Sequence, residues 1–138
     1  MALKKSDVKV GDTTTQVVAD NITRTQIVQY AGASGDYNPL HSDEVFTTKV
    51  AGYPSVFAHG MLSMGATGKL LTDYVGDGML TYYGVRFTYQ VWPGDTLTAT
   101  VTGIREEDGV DLVDLDVSTK NQDGIEVIKG QATARLES

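Results

Sequence analysis

Hydrophobic positions in the first half of the chain recur at helical spacing, and the first such segment begins near Thr23. Thr23 and Gln26 have the T-x-x-Q spacing of a capping box, in which each side chain pairs with an otherwise unpaired backbone N–H. Ile22 and Ile27 occupy the two positions of a hydrophobic staple around that cap. The pattern therefore predicts a helix that begins at Thr23. Its predicted buried residues are Ile27, Tyr30 and Ala31, and its predicted end is at Gly32 and Gly35.

A second, shorter helix is predicted between the first helix and residue 52. Ser42 is suited to cap it, and the helix is expected to stop near Gly52. Asp43 and Glu44 then fall in its first turn, where carboxylates are stabilised by the helix dipole.

The third predicted helix is the longest and runs over about 59–76. Apolar residues could cover most of its circumference, so we expect it to be largely buried. They are Met61, Leu62, Met64, Leu70, Leu71, Tyr74 and Val75. The small residues Gly65, Ala66 and Gly68 lower the helix propensity, and they predict that a sheet approaches this helix closely.

After Gly78 the hydrophobic period changes to two, which is typical of β-strands. The segments predicted as strands are 80–92, 96–104, 112–119 and 131–136, with a short leading strand at 15–20. The turns predicted from Gly and Pro are Pro93-Gly94-Asp95, Asp108-Gly109 and Asp123-Gly124. The pattern predicts one α+β domain over 1–138, in which an antiparallel sheet of four or five strands packs on one buried helix.

Composition and charge disfavour several classes of function. The formal charge of −7 on 138 residues argues against nucleic-acid binding, which needs a basic face. No apolar run approaches the roughly 18 residues of a spanning helix, and residues 1–12 lack the apolar stretch of a secretory signal. The absence of cysteine excludes disulfides and zinc–thiolate sites. We therefore expect a cytoplasmic domain without nucleic-acid or membrane partners.

The loop after the first helix carries candidate catalytic groups. Asp36 and His41 stand on either side of Asn38-Pro39, and a residue before proline avoids the α region, so the two do not lie one helical turn apart. A stiff turn of this kind is able to aim a carboxylate and an imidazole into one cavity as general acid and base. Nearby, the unpaired N–H groups that begin the long helix, notably that of Gly60, are suited to a developing oxyanion.

Each of these residues also has a structural interpretation. Asp36 and Asn38 are both suited to Asx turns. His41 and His59 could each be a buried histidine whose hydrogen bonds are satisfied, and this interpretation is stronger for His59 than for His41. A metal-ligand set is a further alternative, although its spacing is weakly specific. Its members would be Asp36, His41, Asp43 and His59. The residues alone leave catalysis, loop capping and metal binding open.

The segment 34–41, SGDYNPLH, resembles the signature of the MaoC-like family of (R)-specific enoyl-CoA hydratases and (3R)-hydroxyacyl-ACP dehydratases. The resemblance continues through AHGM at 58–61 and through VRF at 85–87 to PGD at 93–95, so it covers essentially the whole chain. Within the family, the opening MAL, the segment VKVGD and the pattern AHGM-x-x-MG are similar to the catalytic B-type subunits of mycolic-acid elongation dehydratases.

This resemblance implies a hot-dog fold, in which a curved antiparallel sheet wraps a long central helix. It also implies a homodimer, or a heterodimer with a related hot-dog subunit, in which two sheets join edge to edge. Asp36 and His41 become the catalytic pair, Asn38 positions the pair, and Gly60 donates its N–H to the oxyanion. The implied reaction is the reversible syn hydration of trans-2-enoyl thioesters of CoA or ACP to (3R)-3-hydroxyacyl thioesters, with no cofactor and no metal.

The sequence departs from the family pattern at two places. Gln90-Val91-Trp92 stands where Pro-Val often precedes the PGD turn, and Gly68 stands where some relatives carry a helix serine. Two other functions fit the sequence less well than a hydratase does. An acyl-CoA thioesterase with this fold would typically have a carboxylate near the middle of the buried helix, whereas the first acidic residue here is Asp73. A non-catalytic or partner-dependent subunit would tend to lack the Asp/His pair.

Overall fold

The computed structural model describes residues 2–106 and 110–137, and its longer elements are two helices and five strands. In chain order they are β1 (Thr13–Ala19), α1 (Arg24–Ser34), α2 (Gly60–Val75), β2 (Leu80–Phe87), β3 (Leu97–Glu106), β4 (Leu112–Lys120) and β5 (Glu126–Arg135). Short 3-10 turns occupy Lys5–Asp7 and Pro39–His41, and a π-helical turn occupies Phe46–Val50.

The strands form one antiparallel sheet in the order β1-β3-β4-β5-β2, and α2 packs against one face of it. Buried positions alternate along much of β3 and β4, as they do in strands with one face on a core. Leu70, Leu71 and Val75 of α2 join these strand residues in the larger core cluster. The predicted α+β arrangement, a long helix against a curved antiparallel sheet, is therefore confirmed.

Helix α1 begins as the sequence predicted. The Thr23 N–H donates to Gln26 Oε1 at 2.9 Å, and the Gln26 N–H donates to Thr23 Oγ1 at 3.0 Å, which completes the capping box. Ile22 and Ile27 are both buried in one core cluster. The helix continues through Gly32 and ends before Gly35, whose N–H donates to the Ala31 carbonyl and whose φ of 75° turns the chain out of the helix. Of the two predicted end points, only Gly35 was correct.

The second predicted helix is a short helical segment over 44–50, and its cap differs from the prediction. The Phe46 N–H donates to Asp43 Oδ1 at 3.0 Å, so Asp43 is the cap and Ser42 is not. Ser42 instead ends the preceding 3-10 turn, where its N–H donates to the Pro39 carbonyl. The predicted stop near Gly52 was correct, since the helical segment ends at Val50.

Helix α2 lies within one residue of its predicted bounds, but its burial differs from the prediction. Met61 is 54% exposed, Lys69 and Asp73 are also exposed, and the buried apolar residues of the helix, Leu70, Leu71 and Val75, all lie in its C-terminal half. A Cβ on Gly68 would lie 3.2 Å from the Tyr83 ring, whereas one on Gly65 would meet nothing within 4 Å. The predicted close approach of the sheet is therefore confirmed at Gly68 and wrong at Gly65. In the described part of the chain, neither α2 nor any other helix is long and apolar enough to cross a bilayer.

Glycines with positive φ occupy the turns that the sequence predicted near the strands. Gly94 and Gly124 have φ of 94° and 76° in the predicted PGD and Asp-Gly turns. The predicted Asp108-Gly109 turn lies outside the described residues. The predicted strand 80–92 ends at Phe87, because beyond Thr88 the chain leaves the ladder with β5 and Val91 pairs with Ala58 ahead of α2. That departure brings residues 88–91 to the start of α2.

Candidate active site

Hydrogen bonds from backbone N–H groups to nearby side-chain oxygens stabilise the turn that carries Asp36. The Asp36 N–H donates to Ser34 Oγ at 3.2 Å, and the Asn38 N–H donates to Asp36 Oδ1 at 3.2 Å. The Leu40 N–H then donates to Asn38 Oδ1 at 3.1 Å, which caps the 3-10 turn that Pro39 begins. The Asx turns considered from the sequence are therefore present, and the His41 N–H donates to the Asn38 carbonyl at 3.0 Å.

His41 is held in one tautomer by the loop before α2. Its Nδ1 lies 2.6 Å from the Phe57 carbonyl oxygen, which only accepts hydrogen bonds, so Nδ1 carries the proton of the neutral ring. The lone pair of the neutral imidazole then resides on Nε2. Burial lowers the pKa of His41, and the positive form of neighbouring His59 lowers it further, while the Phe57 contact and Asp36 oppose the shift. The group is thus suited to accept a proton near neutral pH.

His59 joins Asp36 and His41, although the sequence suggested only a satisfied core residue. Its side chain is 2% exposed, its Nε2–H donates to the Asp36 carbonyl at 3.0 Å, and its ring stacks on His41 with centroids 3.8 Å apart. Its Nδ1 is buried, and no hydrogen-bond partner for it occurs among the residues that the structure describes. His59 is therefore buried as predicted, but only one of its two ring nitrogens has a hydrogen-bond partner among the described residues. The feature of the sequence that could have placed His59 in the site is its position directly before Gly60 in AHGM.

Asp36, His41 and His59 come together at one point of the fold. One ligand atom from each lies within 4.8 Å of the others, and Asp43, the fourth residue of the proposed metal set, is occupied as a helix cap. Each ring has one nitrogen bonded to a backbone carbonyl, and the two rings stack 24° from parallel. A carbonyl bond of this kind is also common for metal-binding histidines, so the metal-ligand interpretation stays an alternative for Asp36, His41 and His59.

Gly60 begins α2 beside a cavity of about 270 Å³, here called the Gly60 cavity. As the first helical residue it has no intrahelical acceptor for its N–H, and the cap residue His59 contributes no side-chain capping bond. A Cβ on Gly60 would lie 2.9 Å from the Phe87 ring, so only glycine fits there without a shift of that ring. The lining of this cavity includes Phe57, Ser63, Phe87, Gln90, Val91 and Val127.

A second cavity, of about 530 Å³ and here called the α1 cleft, lies between α1, β1 and α2. Its lining is mostly apolar and includes Val18, Ile22, Tyr30, Leu62, Ala66 and Leu97. Ser63 lines both this cleft and the Gly60 cavity, so its side chain lies between the two spaces. Ser63 is 2% exposed, and its Oγ has no hydrogen-bond partner in the described residues.

A sequence-family comparison matches residues 5–124 of the chain to the family described as the MaoC like domain. This chain belongs to the MaoC-like family. The match contains the SGDYNPLH and AHGM segments that carried the resemblance, together with the Gly60 cavity residues up to Val91.

Similar proteins with known names are hydratases and dehydratases. The 3-hydroxyacyl-thioester dehydratase Y of Mycobacterium tuberculosis is 42% identical over 71 residues, which are 49% of this chain and 24% of that protein. The (R)-specific enoyl-CoA hydratase of Rhodospirillum rubrum is 36% identical over 98 residues, covering 70% of this chain and 66% of the relative. This MaoC-like chain therefore spans about a quarter of the length of the mycobacterial protein.

The fold of the MaoC-like chain also matches a solved structure. R-hydratase PhaJ1 from Pseudomonas aeruginosa, in its unliganded form, aligns with a TM-score of 0.87 at 24% identity, covering 99% of this chain and 88% of that chain. The hot-dog fold implied by the resemblance is therefore confirmed.

The two departures from the family pattern lie beside the Gly60 cavity and beside the Tyr83 ring. Gln90 and Val91 line the Gly60 cavity, so this departure changes which side chains form the wall of the cavity. Gly68 faces the Tyr83 ring, whose O–H donates to the Met64 carbonyl at 2.8 Å. Burial raises the pKa of the Tyr83 phenol to about 12, so this hydroxyl stays protonated as a donor.

Proposed function

We propose that this MaoC-like domain catalyses the reversible syn hydration of trans-2-enoyl thioesters and the dehydration of (3R)-3-hydroxyacyl thioesters. The observation that supports the proposal most directly is the meeting of the Asp36 and His41 side chains, close to an uncapped helix start at Gly60. The names of the similar proteins point to the same chemistry. The narrower likeness to mycolic-acid elongation subunits stays a prediction.

The thioester carbonyl binds at the start of α2. Its oxygen accepts the Gly60 N–H, and the dipole of the 16-residue helix adds to the polarisation. Withdrawing electrons toward this oxygen makes C3 of the enoyl group electrophilic and lets C2 hold charge as an enolate.

The water that reacts is held between Asp36 and His41. Its oxygen bonds to C3, one of its protons passes to the pair, and a proton returns from the pair to C2 on the same face, so one water is added in total. The lone pair on His41 Nε2 is available as an acceptor, since Nδ1–H is committed to the Phe57 carbonyl. Because the two groups interact, they titrate as a pair, and acid and base roles belong to the pair.

The acyl tail beyond C3 extends past Ser63 into the α1 cleft. The apolar lining of the cleft suits methylene groups, and Ser63 lines both the cleft and the Gly60 cavity. A volume of about 530 Å³ would hold on the order of ten methylenes, taking each as similar in size to a water molecule. The carrier arm, whether of CoA or of a carrier protein, leaves by the Gly60 cavity.

The proposed reaction is tested with crotonyl-CoA. We expect the enoyl-thioester absorbance to fall, and chiral analysis to identify the product as (R)-3-hydroxybutyryl-CoA. Free thiol is followed in the same assay, because a thioesterase would release CoA and a hydratase would not. Release of CoA, or formation of the (S) product, would contradict the proposal.

We further propose that the active form contains two hot-dog chains joined along β2, either two copies of this one or this chain with a related subunit. Within the described sheet β2 pairs only with β5, so its outer edge has backbone groups available for a partner strand. Tyr82 and Phe87 of β2 are 58% and 51% exposed, which also suits an interface. Light scattering of the active species is expected to give the mass of two chains. A fully active monomer would rule this assembly out.

A further inference from the structure

We infer that His59 is a positioning residue that holds both Asp36 and His41 in the orientation that the reaction requires. The inference rests on the proposed function and assigns a role to a side chain that does not itself touch the substrate. Two separate contacts carry it. The His59 Nε2–H donates to the Asp36 carbonyl, and the His59 ring stacks on His41.

His59 is itself held rigidly, as a positioning residue must be. It is the residue from which α2 begins, and its carbonyl accepts the Leu62 N–H at 3.1 Å. Tyr30 of α1 meets the ring edge-on with centroids 4.8 Å apart. The side chain is buried, with an exposure of 2%. The position of α2 is thereby transmitted to both reacting side chains.

The two contacts act on different degrees of freedom. The hydrogen bond fixes the backbone at Asp36, which sets where its carboxylate points. The stacked ring covers one face of His41, while the Phe57 carbonyl fixes its Nδ1 edge and Phe57 meets the ring edge-on. What remains free in His41 is the Nε2 edge. The charged and titratable groups that face His41 are Asp36 and His59.

The inference is tested by replacing His59 in two ways. His59→Gln keeps an N–H donor for the Asp36 carbonyl but removes the stacked ring, and His59→Phe keeps a ring but removes the donor. Each is expected to lower kcat for crotonyl-CoA by at least about tenfold with KM changed by less than about threefold. Thr67→Val is the matched control, because it removes a buried hydrogen bond, that to Thr119 on β4, elsewhere on α2. It is expected to lower stability and leave kcat unchanged.

A double-mutant cycle separates positioning from a general structural role. If His59 acts through the pair, then His59→Gln added to Asp36→Asn should reduce the residual rate no further. Full additivity, or a loss of kcat no larger than that of Thr67→Val, would overturn the inference.

A measurement without turnover keeps the inference distinct from the proposed function. The chain has two histidines, so His59→Gln leaves the His41 imidazole as the single histidine signal in an NMR titration. Removing the stacked ring should raise the pKa of His41, because the burial to which that ring contributes lowers the pKa in the intact protein, and the positive form of His59 lowers it further. A wild-type protein inactive on every enoyl thioester would end the proposed function. An unchanged His41 titration would end the inference instead.

Discussion

Asp36→Asn and His41→Gln are each expected to lower the rate of crotonyl-CoA hydration by at least about a hundredfold, the usual contribution of a general acid or base. Both replacements are close to isosteric. Asn retains an oxygen to accept the Asn38 N–H, so the turn around Asp36 should persist while the carboxylate is lost. Gln cannot accept a proton from water as the Nε2 lone pair of His41 does. The measurement is kcat and KM for purified, folded variants.

The control for these variants is Asp77→Asn, which removes a carboxylate beyond the far end of α2, about 24 Å of helix away from Gly60. It should leave turnover unchanged. The pH profile gives a second check, because burial lowers the pKa of His41. A neutral base is then retained as the pH falls, so the acid limb of kcat/KM should lie below 6.5, the ordinary value for histidine. Full activity in folded Asp36→Asn or His41→Gln would remove the basis of the proposed mechanism.

Ala66→Phe is expected to lower kcat/KM for trans-2-dodecenoyl-CoA by at least about a hundredfold and to leave crotonyl-CoA turnover nearly unchanged. Ala66 lines the α1 cleft, and a phenyl ring there would occupy the space proposed for the acyl tail. Each buried methylene contributes about 0.8 kcal/mol, which is roughly fourfold in binding, so exclusion of several methylenes produces a large loss. Short tails do not reach the cleft. Kinetics over chain lengths from four to twelve carbons give the measurement.

Ala33→Phe, on the α1 side of the same cleft, serves as a second variant in case Ala66→Phe disturbs α2. Val28→Phe is the matched control, because Val28 is on α1, is 55% exposed and lines neither cavity. Saturated acyl-CoAs extend the test to binding without chemistry, since their inhibition constants should fall with chain length in the wild type and level off in Ala66→Phe. Equal losses for short and long substrates would show that the tail binds elsewhere.

Much of the local structure was predictable, because it depends on residues only a few positions apart. The capping box of Thr23 and Gln26 and the Gly35 end of α1 are of this kind. So are the strand periodicity after Gly78 and the turns at Gly94 and Gly124. The wrong cap at Ser42 was also a local error, because two turns compete for that residue and the 3-10 turn that begins at Pro39 uses it first.

Other features depend on how distant segments pack, and they were not predictable from the pattern. Gly65 and Gly68 look equivalent along the chain, yet only Gly68 faces the sheet, where Tyr83 reaches it from β2. Met61 fits an apolar face of the helical pattern but is 54% exposed, whereas Ser63 in the same turn is buried. The α1 cleft likewise exists only because α1 is held away from β1 and α2.

By itself, the sequence determined the order of helices and strands, the stiff turn that bears Asp36 and His41, and membership of the MaoC-like family. Only the tertiary structure decided that His59 belongs to the same cluster and which nitrogen of His41 is free. The physical reason is distance along the chain. The bonds from His41 to Phe57 and from His59 to Asp36 span 16 and 23 residues, so they depend on how distant segments pack and not on the local pattern.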